Sequence, residues 1–330
     1  MARAEAATTL GDGWRPKVLE PSPPADTTEP YLADDPLAEP PGDGTVVSPL
    51  GRADAPDGTT WTDLVSRQPD LAWYAREHWL ASWRRLQPLP ANYAATRLAL
   101  HRLAVYVITP LRRDANGRIG LRYVHNGFGT PFFPGSDGAD VQIRVTGTEL
   151  VRQEGAEATG GPITSLAAAA GLVGGAVDRE WVGELDVPPL GDPDAELPID
   201  PASAGTLADW FGFAFSVLEE LRADPESAAA DVTRPQLWPE HFDPAIELGS
   251  DDGRTRASYG LSPGDAQRGD PEPYLYVSAW YPEHLGHDPF WNSTSFPGAV
   301  LRYRDLVAAA DQRRAALTFL RKGRSLLLGG

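Results

Sequence analysis

The sequence predicts an α+β fold, with two mainly antiparallel sheets each covered by helices. Two observations carry that prediction. Helical and strand-like periodicities come in blocks, helix–strands–helix and again helix–strands–helix, rather than alternating singly as βαβ units do. And the 330 residues, 42% hydrophobic and 23% charged, suffice for two modest globular domains, or one with appendages.

Taken in order, residues 1–60 read as an irregular arm. They hold 11 acidic and 4 basic side chains and ten of the 32 prolines, with only scattered apolar residues. An N-terminal α+β half is expected over 61–183. Within it, Ala72, Ala75, Trp79, Trp83 and Leu86 recur at helical spacing from Pro69 to Leu86, until Pro88 and Pro90 stop the helix. Leu103–Ile108 is apolar throughout and reads as a central strand, buried on both faces. Asn116-Gly117 reads as the tight turn of a hairpin whose return strand carries Ile119, Leu121 and Tyr123. Val141, Ile143 and Val145 mark another strand, Leu150-Val151 a shorter one, and Ile163–Leu172 a short helix.

Residues 184–201 carry six acids, no bases and five prolines, and read as a linker. A C-terminal α+β half follows over 202–330. Leu207, Trp210, Phe211, Ala214, Leu218 and Leu221 fit one helix, with Thr206 as its expected N-cap and Asp224-Pro225 as its stop. Ala245–Leu248, Arg254–Tyr259 and Tyr274–Tyr281 then suggest a three-stranded meander, and Leu306 to Leu320 a terminal helix.

Composition narrows the function. The net charge is −17, so a nucleic-acid partner is disfavoured by repulsion from a polyanion. Without the arm and the linker the remainder is nearly balanced, at −4. The stretch Arg76–Arg122 runs against the trend with nine arginines and two acids. It is read as a solvated face, or more sharply as a surface for the chain's own acidic segments. With no cysteine there is no disulfide, thiolate metal site or cysteine nucleophile. The longest weakly polar run, Ser165–Val177, has 13 residues and is too short for a bilayer, so no membrane partner is expected. The opening residues show no apolar leader, and a cytoplasmic location is the expectation.

Two constellations could carry function. Along Glu272–Tyr281, Tyr274, Tyr276 and Trp280 share one strand face with Ser278, while Leu275, Val277 and Ala279 share the other. The second set is a core face. The first either packs beneath a helix or floors an aromatic cleft for a small molecule or protein partner, with Trp238 and Trp291 close in sequence. The other constellation is His241, Asp243, His284 and His287, flanking the meander. Imidazole and carboxylate are suitable ligands for a divalent metal, and such a set would support a metal-dependent hydrolase with Glu240 or Glu283 as base. No nucleophile elbow, Walker loop or dinucleotide fingerprint is present. The reading preferred here is a non-catalytic binding protein using the aromatic face, with no cofactor. The hydrolase is the alternative.

The runs Gln236-Leu-Trp-Pro-Glu-His-Phe-Asp243, Tyr259-Gly-Leu-Ser-Pro-Gly-Asp265, Glu272-Pro-Tyr-Leu-Tyr-Val277 and Pro289-Phe-Trp-Asn292 resemble a family of uncharacterised actinobacterial proteins. The resemblance is specific over residues 234–303, looser over 97–222 and absent from the arm. It implies a bacterial cytoplasmic protein and no particular chemistry.

Overall fold

The computed structural model describes residues 85–124, 126–135, 139–154, 157–180, 187–264 and 269–329. The arm 1–60 lies outside them. So does the helix expected from Pro69, except Arg85 and Leu86, which have no regular structure.

The first described helix overturns the expected central strand. Helix α1 (Tyr93–Leu103) continues through a π-helical stretch, Ala104–Ile108, directly into α2 (Thr109–Asn116). All five π-helical residues are buried, so every position is apolar and no period survives to tell a buried helix from a buried strand. Pro110 supplies a physical reason for the π turn. It has no N–H to give the carbonyl four residues back, at Tyr106, and its ring crowds that carbonyl. The Tyr106 carbonyl instead accepts a hydrogen bond from the Asp178 N–H at 2.9 Å. Asn116-Gly117 is likewise no hairpin turn. Gly117 takes φ +75° as the left-handed cap of α2, its N–H bonding the Arg113 carbonyl at 2.7 Å. Hairpin turns and helix caps both require positive φ, which is why the dipeptide suits either.

The first sheet follows. Its strands are β1 (Arg122–Val124), β2 (Gly127–Gly129), β3 (Phe133–Pro134), β4 (Asp140–Thr146), β5 (Glu149–Glu154) and β6 (Glu157–Pro162). Their order is β1-β2-β4-β5-β6, with β3 also paired to β4, and every pairing is antiparallel. Helix α3 (Leu166–Leu172) is capped by Ser165, whose hydroxyl accepts from the Ala168 N–H. Residues 187–200 have no regular structure, yet they are docked on the first helix. Thr96 Oγ1 donates to the Pro198 carbonyl, Tyr106 donates to the Pro188 carbonyl, and Leu197 is 5% exposed. Gly191 lies so close to Arg102 that a Cβ there would be 2.5 Å from its guanidinium. Segment 187–200 thus covers Arg102 through the backbone at Gly191.

Helix α4 (Pro201–Ala223) begins at Asp200 rather than Thr206. The Asp200 carboxylate accepts from the Ser203 N–H and hydroxyl, and Pro201 fills the first turn. Leu207, Trp210, Phe211, Phe213, Phe215, Val217, Leu218 and Leu221 are all buried, which leaves little polar face on the helix. It packs against strands of both sheets and serves as the shared spine of the core. Each such side chain stabilises the fold by ~1.5–3 kcal/mol relative to exposure.

A short helix α5 (Pro225–Ala228) leads to the second sheet. This comprises β7 (Gln236–Trp238), β8 (Asp243–Leu248), β9 (Ala257–Ser262), β10 (Tyr274–Ala279) and β11 (Gly298–Arg302), in sequential antiparallel order. The sheets meet where Leu121 and Leu237 exchange two backbone hydrogen bonds, each 2.8 Å. After α6 (Tyr303–Ala308), α7 (Gln312–Leu328) closes the inner face of the second sheet. Gly323 allows that approach, since a Cβ there would come within 2.8 Å of Val277. Arg321 and Arg324 tie α7 to Asp224 at the end of α4. No described helix is long and apolar enough to cross a membrane.

Candidate functional site

The second sheet has two unlike faces because side chains alternate along each strand. Pro244, Ile246 and Leu248 of β8, Tyr259 and Leu261 of β9, and Leu275 and Val277 of β10 point inward and are buried. On β10 the alternation is regular, with Tyr274, Tyr276 and Ser278 partly exposed between buried neighbours. The helices lie on the inner side, so the aromatic row does not pack beneath one. It lines a cavity.

That cavity, of about 240 Å³, is bounded by His241, Asp243, Ser258, Ser262, Tyr274, Tyr276, Ser278 and Phe296. Strand register assembles it. Ser258 and Ser278 are direct cross-strand partners, as are Ser262 and Tyr274, and Tyr276 stands opposite Gly260. Gly260 is required there. A Cβ would fall 2.4 Å from the ring and hydroxyl of Tyr276, so only glycine lets that ring lie flat across β9. Having crossed β9, the Tyr276 hydroxyl donates to Asp243 Oδ2 on β8 at 2.5 Å. Burial, followed by the charges of Asp243 and Glu247, pushes the Tyr276 phenol well above its ordinary range, so it remains a donor. Asp243 is 3% exposed, and its other oxygen, Oδ1, has no hydrogen-bond partner among the described residues. Four residues further along β8 and on the same face, Glu247 accepts from the Ser258 hydroxyl at 2.6 Å, and Ser258 in turn accepts from the Trp280 indole at 3.1 Å.

The turn that presents His241 and Asp243 is held from inside. Pro239–Phe242 joins β7 to β8, and the Phe242 N–H closes it on the Trp238 carbonyl at 2.7 Å. Phe242 takes φ +58°, a conformation that costs a bulky side chain roughly 1–3 kcal/mol. Its ring offsets that cost in the core. It meets Phe128 and Phe211 edge-on at 4.9 and 5.1 Å and stacks on His101 of α1 at 5.0 Å, the planes 3° apart. His101 Nε2 lies 2.7 Å from the Pro239 carbonyl, and an acceptor there makes Nε2 the protonated nitrogen. Burial, and then the Arg97 charge, lowers the His101 pKa well below its ordinary value, so the imidazole is neutral. With Phe242 drawn into the core, residues 241 and 243 flank it at the cavity.

The sequence-derived candidates separate accordingly. Tyr274 and Tyr276 line the cavity together with His241 and Asp243, which the sequence suggested for a metal. The four-residue metal set does not assemble: His284 and His287 are exposed in the segment after β10, and among the described residues no three His, Asp or Glu side chains gather as a metal site. The three tryptophans proposed for the cleft are not part of its lining. Trp238 stands beside Asp243 on the edge strand β7. Trp280 sits one pleat past Ser278, with the Arg256 guanidinium 5.7 Å from its ring. Trp291 packs on Phe290, itself against Phe319 of α7. Sequence reasoning missed Ser258, Ser262 and Phe296, and Glu247 behind them. The only available signal was the period-two pattern of β8 and β9, which becomes informative once their register with β10 is known. Compared with known proteins, the chain matches no family model, no curated protein and no solved structure.

Proposed function

We propose that the protein is a binding protein for a small polar molecule, which it takes into the cavity on the outer face of the second sheet. The observation that carries this reading is a nearly buried carboxylate, Asp243, held by Tyr276 with one oxygen open towards a walled cavity. A buried charge without compensation is costly, so a built site of this kind is expected to have a ligand. The volume, below the usual range for drug-sized ligands, favours a small one. Binding is preferred to catalysis because His241 makes no hydrogen bond to any serine of the cavity, and Ser258 is committed to Glu247 and Trp280. A cytoplasmic bacterial setting belongs to the same reading; what supports it is the resemblance of the Gln236–Asp243, Tyr259–Asp265, Glu272–Val277 and Pro289–Asn292 runs to uncharacterised actinobacterial proteins.

Thermal unfolding in the presence of a small-molecule panel tests the proposal. Saturable stabilisation by a panel member should disappear in Ser278→Trp, which fills the cavity from a half-exposed strand position. Stabilisation that survives this variant unchanged would place binding elsewhere.

A further inference from the structure

We infer that the ligand of this cavity is a small organic cation, an ammonium group seated on Asp243 with its carbon substituents against the rings of Tyr274, Tyr276 and Phe296. The inference rests on the binding reading above and specifies its chemistry. Three features point the same way. First, the charged groups in and behind the cavity are acidic: no lysine or arginine lines it, and Asp243 has no ion-pair partner among the described residues. An anionic ligand would be repelled by Asp243, which has no cationic partner of its own among the described residues. Second, the open acceptor belongs to a carboxylate that is only 3% exposed, so a cation seated on it is partly shielded from water. Third, the walls are aromatic. Tyr274 and Tyr276 have ring centroids 6.2 Å apart, and Phe296 meets Tyr276 edge-on at 6.2 Å, so three rings border one small space. Ring faces attract ammonium groups, most strongly when water is excluded. The hydroxyls of Ser262 and Ser278 lie on the same face, placed for the polar end of such a molecule.

The nearby arginines do not answer Asp243. Arg256, wholly buried at the start of β9, is paired with Asp231 and Asp251, and Arg302 on β11 is paired with Asp270.

The test is calorimetric titration of the full chain with choline, with its neutral carbon isostere (a tert-butyl group in place of the trimethylammonium), and with glucose. The expected result is saturable choline binding, with the isostere at least about tenfold weaker. Asp243→Asn, which keeps the shape and still accepts from Tyr276, should weaken choline by about tenfold or more. Phe296→Ala, at a half-exposed position, should weaken it severalfold with the fold intact by circular dichroism. Equal affinity for the isostere, binding of glucose in preference to choline, or no choline binding at tens of millimolar would each overturn the cation. If the isostere or glucose binds and Phe296→Ala weakens it, the cavity remains the site and only its chemistry was misassigned. Choline binding indifferent to both substitutions would overturn the site as well.

Discussion

The two faces of the second sheet are built from the same strands, one residue out of phase, and they obey different rules. Inward, Ile246, Leu248, Tyr259, Leu261, Leu275 and Val277 are within 1% of complete burial and pack against the helices. Outward, Asp243, Glu247, Ser258, Ser262, Tyr274 and Tyr276 form a polar surface in which a glycine, a tyrosine and an aspartate interlock. The inner face secures the fold and tolerates little loss of volume. The outer face holds a buried carboxylate, Asp243, which on the proposed reading serves recognition rather than stability. The comparison therefore predicts that substitutions sort by face, affecting stability on one and affinity on the other.

The largest expected effect is on the inner face. Leu275→Ala should cost ~2–5 kcal/mol, through lost transfer energy and the cavity left behind, read by denaturant unfolding. A cost below ~1 kcal/mol would mean that this face is not the packed core. Gly260→Ala comes next, on the outer face. The new methyl must displace the Tyr276 ring from Asp243, so ~1–3 kcal/mol of stability and most ligand-induced stabilisation should go together. Tyr276→Phe, which leaves Asp243 buried without its donor, should cost ~1–3 kcal/mol and is measured in the same way.

The link between core and site gives a pH prediction. His101 is neutral in the folded protein because burial lowers its pKa, while in the unfolded chain it gains a proton below about pH 6.5. The unfolded state then binds more protons, so stability is fully present above that pH and falls below it, by up to ~1.4 kcal/mol per pH unit from this group. His101→Phe should flatten the decline between about pH 6.5 and 5, compared with wild type by urea midpoints across that range. An unchanged slope would show that His101 is not the group responsible. The smallest effect is expected at Ser278→Ala, within ~0.5 kcal/mol of wild type, with any change confined to ligand affinity.

Much of this division was legible in the residues. The alternation of Tyr274–Ala279 marked one face as core and left the other either beneath a helix or lining a cleft; the structure shows the alternating burial, with the helices on the core side. His241 and Asp243 were singled out for metal chemistry and stand at the cavity, joined there by tyrosines rather than by His284 and His287. Glu247, Ser258 and Ser262 could not be read, because each matters only through its cross-strand neighbours, and register is not written in any one strand. Leu103–Ile108 failed for a different reason. A segment buried on all sides loses the periodicity that distinguishes helix from strand, and the mark of Pro110 was visible only as a carbonyl bonded elsewhere. Phe242 is the least legible residue of all. Nothing in its surroundings announces a left-handed phenylalanine, yet its ring fixes the turn that carries two cavity residues.

Fluorine NMR of the fluorotyrosine-labelled chain tests the central claim most directly, with the Tyr274 and Tyr276 resonances assigned through their phenylalanine variants. Titration with whichever small molecule stabilises the protein should move those two resonances saturably, at the concentration that raises the melting temperature. Shifts confined to tyrosines elsewhere, such as Tyr106 or Tyr303, would contradict the claim that the outer face of the second sheet is where this protein meets its ligand.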